Sequence, residues 1–162
     1  MSGAVVIEAV DPQGVAAMSL LREAALEVRG LYPDFLSSFA PMPTNPPLQE
    51  GSAYFVAFSA GAAVGCSAFR RLNDVVAEVR RMYVLPSHRQ RGIARALLVH
   101  LERTAATLDY GLLRLETGDR QRPAIALYES FGFTRIAPFG EHVGDPTSIC
   151  YEKRIASASR PP

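Results

Sequence analysis

The chain has 162 residues, 48% of them hydrophobic, and a formal net charge of +1 at pH 7. This length fits one domain with a buried core, and the near-neutral charge argues against a general nucleic-acid-binding surface. The sequence has neither the pattern of a signal peptide nor an apolar run of the roughly 20 residues that cross a bilayer. We therefore expect a cytoplasmic protein with no nucleic-acid or membrane partner.

The two cysteines, Cys66 and Cys150, each lie in an apolar or β-branched run. Two thiols do not make a disulfide framework, and neither has cysteine or histidine neighbours at the spacing of a zinc site. We expect both thiols to be reduced and buried, and we expect no metal site.

The first third of the chain predicts a strand, a helix and an irregular segment. Residues 5–10 predict a short strand, and Asp11-Pro12 predicts a helix start, because Asp can cap a helix and Pro suits its first position. Gly30 is the predicted helix end. Residues 31–49 are irregular and rich in proline, which is typical of a binding element or a flap. Three aromatic residues there are expected either to line a pocket or to pin the segment to the body: Tyr32, Phe35 and Phe39.

The remaining elements complete an alternating pattern. Strands are predicted at 53–58, 62–71 and 75–85, then a helix at 92–108, a strand at 112–117, a helix from Pro123 to Gly132, and strands at 133–137 and 147–155. The helix at 92–108 has one apolar face, formed by Ile93, Leu97, Leu98, Leu101, Ala105 and Leu108. This order predicts an α/β fold (α+β in some schemes) with a mixed sheet, in which the strand–helix–strand unit makes a parallel pair. We expect one domain over residues 1–155 and a disordered tail over 156–162.

A basic turn, Arg89-Gln90-Arg91-Gly92, precedes the helix at 92–108. The first turn of a helix has free N–H groups and partial positive charge. Glycine permits a close approach to the backbone, and arginine suits phosphate oxygens. The pattern predicts either a phosphate site or a solvated basic turn. It is neither a dinucleotide-binding fingerprint nor a P-loop.

Two motifs resemble one known family. Arg89-Gln90-Arg91-Gly92-Ile93-Ala94 is similar to the Arg/Gln-x-x-Gly-x-Gly/Ala signature of the GCN5-related N-acetyltransferase (GNAT) superfamily. Residues 124–133, Ala-Ile-Ala-Leu-Tyr-Glu-Ser-Phe-Gly-Phe, resemble its second motif, Ala-x-x-x-Tyr-x-x-x-Gly-Phe. The resemblance covers residues 77–136. It implies a GNAT-like, mostly antiparallel central sheet flanked by helices, whose parallel strand pair splays apart to admit acetyl-CoA.

The resemblance also implies the contacts with acetyl-CoA. Backbone groups of Met82 and Val84 would pair with the acetyl group and the pantetheine arm like an added strand, and N–H groups of the basic turn would hold the pyrophosphate. Gln121 stands where many relatives carry Asn, a departure that keeps the amide. The full predicted set is Met82, Tyr83, Val84, Arg89, Gln90, Arg91, Gly92, Ile93, Ala94, Arg95 and Gln121, with Arg122 as a further phosphate contact.

Acetyl transfer to an amine needs a base, because an alkyl amine with a pKa near ~10 is mostly protonated at pH 7. The departing CoA thiolate also benefits from an acid that protonates it. Glu78 is the predicted base, since its position is similar to that of the catalytic glutamate in the superfamily's histone acetyltransferases. Glu116 or ordered water are alternative bases. Glu78 has a second interpretation as a strand residue in an ion pair with Arg70, Arg80 or Arg81. Tyr128 matches the tyrosine of the second motif and is the predicted acid, or else a core tyrosine. His142 and Asp145 precede the last strand, where relatives often contact the acceptor.

These features predict an acetyl-CoA-dependent N-acetyltransferase that acts on the primary amine of a small molecule by direct attack in a ternary complex. No cysteine sits where a covalent acetyl carrier is expected. Two alternatives stay open: an N-acetyltransferase of proteins or peptides, acting on an N-terminal amine or a lysine, and a non-catalytic acyl-CoA-binding module. The sequence also leaves open whether the chain forms a homodimer.

Overall fold

The computed structural model describes residues 4–35 and 41–157, which form a seven-stranded sheet with three α-helices. The strands are β1 (Val5–Ala9), β2 (Ala53–Ser59), β3 (Ala62–Arg71), β4 (Val76–Val84), β5 (Leu112–Gly118), β6 (Thr134–Ile136) and β7 (Ser148–Arg154). The helices are α1 (Val15–Leu31), α2 (Ile93–Thr107) and α3 (Arg122–Ser130), and short 3-10 turns lie at Pro86–His88 and Gly140–His142. The sheet order is β1-β2-β3-β4-β5-β7-β6, and each neighbouring pair is antiparallel except β4 and β5. The predicted mixed, mostly antiparallel sheet is confirmed.

The parallel strands β4 and β5 stop pairing before either strand ends. Their register runs only as far as Val79 opposite Leu115, whereas β4 continues to Val84 and β5 to Gly118. The two strands therefore part at their carboxyl ends. The parting leaves backbone N–H and C=O groups that no neighbouring strand satisfies, and such groups seek a partner.

A bulge in β4 lies just beyond the last paired residue. The register between β3 and β4 shifts between Cys66 and Ala68, and Arg81 of β4 has a φ of 59°. This is the left-handed region that non-glycine residues seldom occupy. A bulge bends its strand and increases the local twist, which is how β4 departs from β5.

The helices cover the two faces of the sheet unequally. Helices α2 and α3 pack over the main apolar core, and α1 packs on the opposite face over a smaller cluster around Leu20, Tyr54 and Val56. The predicted apolar face of α2 is confirmed at Ile93, Leu97, Leu98, Leu101 and Ala105, which are all buried. Leu108 is an exception at 46% exposed, because α2 has already ended at Thr107. Within the described ranges, no helix is long and apolar enough to cross a membrane.

The predicted helix start at Asp11-Pro12 is wrong, since α1 begins at Val15. The Asp11 side chain instead accepts a hydrogen bond from the backbone N–H of Gln13 at 2.9 Å, and its carbonyl accepts one from Gly14 at 3.0 Å. An aspartate that bonds to the backbone two residues on stabilises a turn in competition with a helix. Gly14 is the residue that caps α1.

The proline-rich segment at 41–47 is held by Asn45, which is 4% exposed. Its amide nitrogen donates to the Pro12 carbonyl at 2.7 Å and to the Tyr54 hydroxyl at 3.2 Å. Its Oδ1 accepts a hydrogen bond from Arg81 Nε at 3.0 Å. One buried amide therefore fixes this segment against α1, β2 and the bulge of β4.

The aromatic residue Tyr32 pins the end of α1 to the end of β5. Its hydroxyl donates to Asp119 Oδ1 at 3.0 Å and accepts from the Arg120 N–H at 2.7 Å. Tyr32 is 5% exposed and Phe35 is 57% exposed, so the first anchors its segment and the second lies at the surface. Phe39 lies outside the described residues, as do residues 158–162 of the predicted tail.

The two cysteines are free and buried, as the sequence predicts. Burial raises the pKa of the Cys66 thiol to about 12. A thiol with so high a pKa stays protonated and is a poor nucleophile at neutral pH. Cys66 is therefore part of the core under α1.

Candidate active site

Charged side chains gather on one face of the sheet where β4 and β5 part. Glu78 lies opposite Arg114 in the parallel pair and opposite Arg70 in the β3–β4 pair. Alternate residues of a strand share a face, so Arg80 and Glu116 belong to the same group. The intervening residues of both strands point into the main core on the other face.

The predicted base Glu78 is 2% exposed, and both of its carboxylate oxygens have partners. Arg70 Nε donates to Oε1 at 2.7 Å, and Arg80 Nη1 lies 3.4 Å from the same atom. His142 Nε2 lies 3.1 Å from Oε2. A buried carboxylate requires such partners, because an unpaired buried charge costs several kcal/mol. Glu78 is thus ion-paired through Oε1, while its Oε2 faces a group that can exchange a proton.

His142 connects the two carboxylates that the sequence offers as alternative bases. Its Nε2 faces Glu78, and its Nδ1 lies 3.7 Å from Glu116 Oε2. The imidazole is supported by the Phe139 ring, with the centroids 5.2 Å apart. Ser148 Oγ donates to Glu116 Oε1 at 3.0 Å and fixes the far carboxylate. Glu78, His142 and Glu116 form a row of groups suited to passing a proton.

A metal ion is a poor fit to this cluster. Glu78, Glu141 and His142 each place one ligand atom within 4.8 Å of the others. However, Arg70 and Arg80 both contact Glu78 Oε1 and also Glu141 Oε1. Two guanidinium groups already occupy the positions beside these oxygens where a cation would bind, and they would repel one.

The predicted acid Tyr128 is buried in α3, edge-on to the Phe133 ring at a centroid distance of 5.7 Å. Burial, and secondarily the charge of Glu116, raise the pKa of its hydroxyl, which therefore stays protonated near neutral pH. The hydroxyl has no hydrogen-bond partner in residues 4–35 and 41–157, where Ser67 Oγ is the only buried side-chain polar atom lacking one. It follows that the Tyr128 hydroxyl reaches solvent. Its ring is part of the core, and its O–H is an available donor.

The start of α2 offers free backbone donors. Gly92 caps the helix with a φ of 78°, and no side chain caps it. The N–H groups of the first helical residues, Ile93, Ala94 and Arg95, have no intrahelical partner. A Cβ built on Gly92 meets nothing within 4 Å, so the space beside this glycine is open. The geometry fits the phosphate site that the sequence predicts.

Arg89 is engaged within the chain. Its guanidinium makes a bidentate pair with Glu27 of α1 at 2.9 and 2.6 Å, and its Nε donates to the Val84 carbonyl at 2.9 Å. The guanidinium also lies 5.6 Å from the centre of the Tyr83 ring. Arg89 therefore ties α1 to the end of β4, whereas Arg91 and Arg95 of the same motif are exposed.

The backbone of β4 presents donors to the gap. The N–H of Leu85 donates to Val64 of β3 at 2.9 Å. Successive N–H groups of a strand alternate in direction, so those of Val84 and Met82 turn toward β5. This is the orientation that the predicted pairing with a pantetheine arm requires. Across the gap, Gln121 precedes α3 and its side chain caps no backbone group there, which leaves its amide for a ligand.

The sequence offered Arg70 as one of three possible ion-pair partners of Glu78, and it did not identify Glu141 as part of the site. Arg70 joins Glu78 only through the β3–β4 register, and Glu141 joins through an ion pair with Arg70 at 3.1 Å. His142 and Asp145, which the sequence grouped together, have separate roles. His142 contacts Glu78, whereas the Asp145 carboxylate accepts from the N–H of Thr147 at 2.9 Å and stabilises a turn.

Comparisons with known proteins show which family the chain is similar to. A model of the acetyltransferase (GNAT) family matches residues 16–133. The IAA acetyltransferase of Azospirillum brasilense is 34% identical over 152 residues, which cover 93% of this chain and 98% of that protein. A crystal structure from Klebsiella pneumoniae, of a protein provisionally named an acyl-CoA N-acyltransferase, superposes with a TM-score of 0.77 at 32% identity over 93% of this chain and 97% of that one. The PaiA N-acetyltransferase of Thermoplasma acidophilum, solved with coenzyme A, has the same fold, with a TM-score of 0.69 at 16% identity over 93% and 99% of the two chains.

Replacing Gly92 with Glu is expected to abolish acetyl-CoA binding, because the side chain would fill the space before the helix N-terminus and repel phosphate. Gly92→Ala is the matched control, since it carries the same left-handed backbone strain without the bulk and charge. Isothermal titration calorimetry with acetyl-CoA measures both variants. Normal affinity in Gly92→Glu would place the phosphates elsewhere.

Proposed function

The chain belongs to the acetyltransferase (GNAT) family and is an acyl-CoA-dependent N-acetyltransferase, and from this premise we propose that it acetylates the primary amine of a small molecule by direct attack in a ternary complex. The observation that carries the proposal is the Glu78 carboxylate, buried where β4 and β5 part and 3.1 Å from His142. It gives the amine a proton acceptor beside the gap into which acetyl-CoA would enter.

Glu78 is the proposed proton acceptor. We call the sheet face that carries Glu78 and Glu116 the open face. An alkylammonium ion that reaches this face meets the Glu78 carboxylate, whose Oε2 is in contact with the His142 imidazole. Side-chain exposure increases along the row, from 3% at Glu78 to 15% at His142 and 27% at Glu116. The proton that the nitrogen loses therefore has a route from a buried carboxylate to one in contact with water. This route joins the two bases that the sequence leaves as alternatives.

Tyr128 is the proposed proton donor. As the amine nitrogen forms its bond to the acetyl carbon and the carbon–sulfur bond breaks, Tyr128 gives its proton to the departing sulfur. The nitrogen loses its second proton to solvent, and Tyr128 regains one from solvent, so these two protons balance. The burial that raises the pKa of the tyrosine also disfavours a thiolate beside it, so the transfer remains feasible. The products are the amide, the CoA thiol and the proton released from the ammonium ion.

The surroundings of the open face support a small acceptor. The proline-rich segment is fixed to the β4 bulge through Asn45 and Arg81, and the 3-10 turn at Gly140–His142 is fixed to Glu78. These two segments flank the same stretch of β4, and a small amine is the acceptor that we propose for the space between them. The near full-length relative is named IAA acetyltransferase, which also supports a small molecule as acceptor.

Steady-state release of the CoA thiol tests the proposal, with a panel of small primary amines set against peptides that carry a free N-terminus or a lysine. We expect turnover with small amines and intersecting lines in double-reciprocal plots when acetyl-CoA and acceptor are both varied. Parallel lines would contradict direct attack. Turnover with peptides alone would contradict a small acceptor, and acetyl-CoA binding without any turnover would favour a non-catalytic binding module.

Tyr128→Phe is expected to lower kcat by about 10²–10⁴-fold, the range for loss of a general acid, and to leave acetyl-CoA affinity unchanged. Tyr151→Phe is the matched control, because it removes the hydroxyl of another buried tyrosine, one that donates to Glu129 at 2.9 Å. Rapid-quench or thiol-release kinetics at saturating substrates measure both. If Tyr128→Phe turns over as fast as Tyr151→Phe, Tyr128 has no part in proton transfer.

A further inference from the structure

The bulge in β4 places two successive arginines on the same face of the sheet. In a regular strand Arg80 and Arg81 would point to opposite faces. Here Arg80 contacts Glu78 on the open face, and Arg81 contacts Asn45, which itself bonds to Tyr54 under α1 on that face. The left-handed φ of Arg81 makes this possible, and such strain persists only where the surroundings fix it.

Arg81 is half-buried, as are Arg80 and Arg114, but unlike those two arginines it has no carboxylate partner among the described residues. Ion pairs with Asp or Glu are made by Arg70, Arg71, Arg80, Arg89, Arg114 and Arg120. In the part of the chain that the structure describes, the hydrogen-bond acceptors of Arg81 are neutral: Asn45 Oδ1 at 3.0 Å and the Thr44 carbonyl at 3.5 Å. Burial lowers the pKa of the Arg81 guanidinium, and the nearby charges of Arg80 and Arg70 lower it further.

The outer end of the Arg81 guanidinium is available to a ligand. Nε is bonded to Asn45, and Nη2 makes the long contact with Thr44. Nη1 has no partner among residues 4–35 and 41–157, yet it is absent from the buried unpaired atoms there, so it reaches solvent. A partly buried cation with free donors and no counter-ion is a favourable site for an anion.

We propose that Arg81 binds a carboxylate of the acceptor, so that the acceptor is a small primary amine that also carries a carboxylate group. The inference rests on the proposed function of the same site and specifies its substrate class. Glu78 and Arg81 are three residues apart on one strand, at most about 10 Å between Cα atoms. A short amino acid has a comparable length, and we place its ammonium group at Glu78 and its carboxylate at Arg81.

The experiment compares acceptors that differ only in this group. Each ω-amino acid from glycine to 6-aminohexanoate is compared with its carboxamide. Because the amine of the carboxamide has a lower pKa than the amine of the acid, kcat/KM is calculated from the concentration of unprotonated amine. For at least one chain length we expect wild type to prefer the carboxylate by roughly ten- to a hundred-fold, the range for a charged hydrogen bond. Arg81→Gln should bring the ratio to about one, with little change for the carboxamide.

Two controls separate recognition from folding. Arg71→Gln removes the same charge from an arginine that pairs with exposed Asp74, and it should keep the preference. Asn45→Ala removes the anchor of the proline-rich segment. If Arg81 serves only that anchor, Arg81→Gln and Asn45→Ala will lower both rates and the melting temperature alike and leave the ratio intact, which overturns the inference. If Arg81→Gln does not fold, the carboxylate-to-carboxamide ratio of kcat/KM in wild type and in Arg81→Lys still tests the inference.

The outcomes also distinguish this inference from the proposed function. A wild-type ratio of one or less at every chain length, with turnover of neutral amines, overturns the carboxylate site and leaves the N-acetyltransferase mechanism standing. Acetyl-CoA binding with no turnover of any amine overturns both.

Discussion

A carboxylate removed from water is stable only when cations or donors surround it, and Glu78 meets this requirement from three separate parts of the chain. Arg70 comes from β3, Arg80 from β4, and His142 from the turn before β7. Removing one partner would leave the buried charge less well compensated. The same contacts that stabilise the carboxylate also orient its second oxygen toward His142, so the stability of the site and the proposed proton route depend on one network.

The second constraint is the bulge beside that network. One extra residue at Arg81 ends the regular pairing of β4, parts it from β5 and leaves backbone donors facing the gap. The bulge also brings Arg81 to the face that carries Glu78, where Asn45 fixes its Nε. The proposed entry of acetyl-CoA and the proposed recognition of the acceptor therefore both depend on the geometry of a single strand.

Local sequence patterns predicted the helices and strands well. They predicted the side-chain contacts between these elements poorly. The apolar spacing of α2 and the order of strands around it gave the mixed sheet, because periodicity reports which face is buried. The start of α1 was wrong because the Asp11 side chain forms a turn. Arg89 matched a motif, but its ion pair with Glu27 depends on how α1 docks. Glu78 was recognisable as a base candidate, and Arg70 as one of its possible partners, whereas the row through His142 follows from loop placement, which no local pattern encodes.

The most direct test of the account is the effect of Glu78→Gln on kcat/KM for amines of decreasing pKa, measured at one pH. The control is Glu102→Gln in α2, a glutamate that forms an ion pair with Lys153 at 2.8 Å away from the proposed site. If Glu78 removes the proton, the loss will be about 10²–10⁴-fold for an alkyl amine with a pKa near 10 and will shrink toward none for an amine already unprotonated at the assay pH. A loss of the same size for every amine would contradict the account, because it would mean that Glu78 holds the site together without taking the proton.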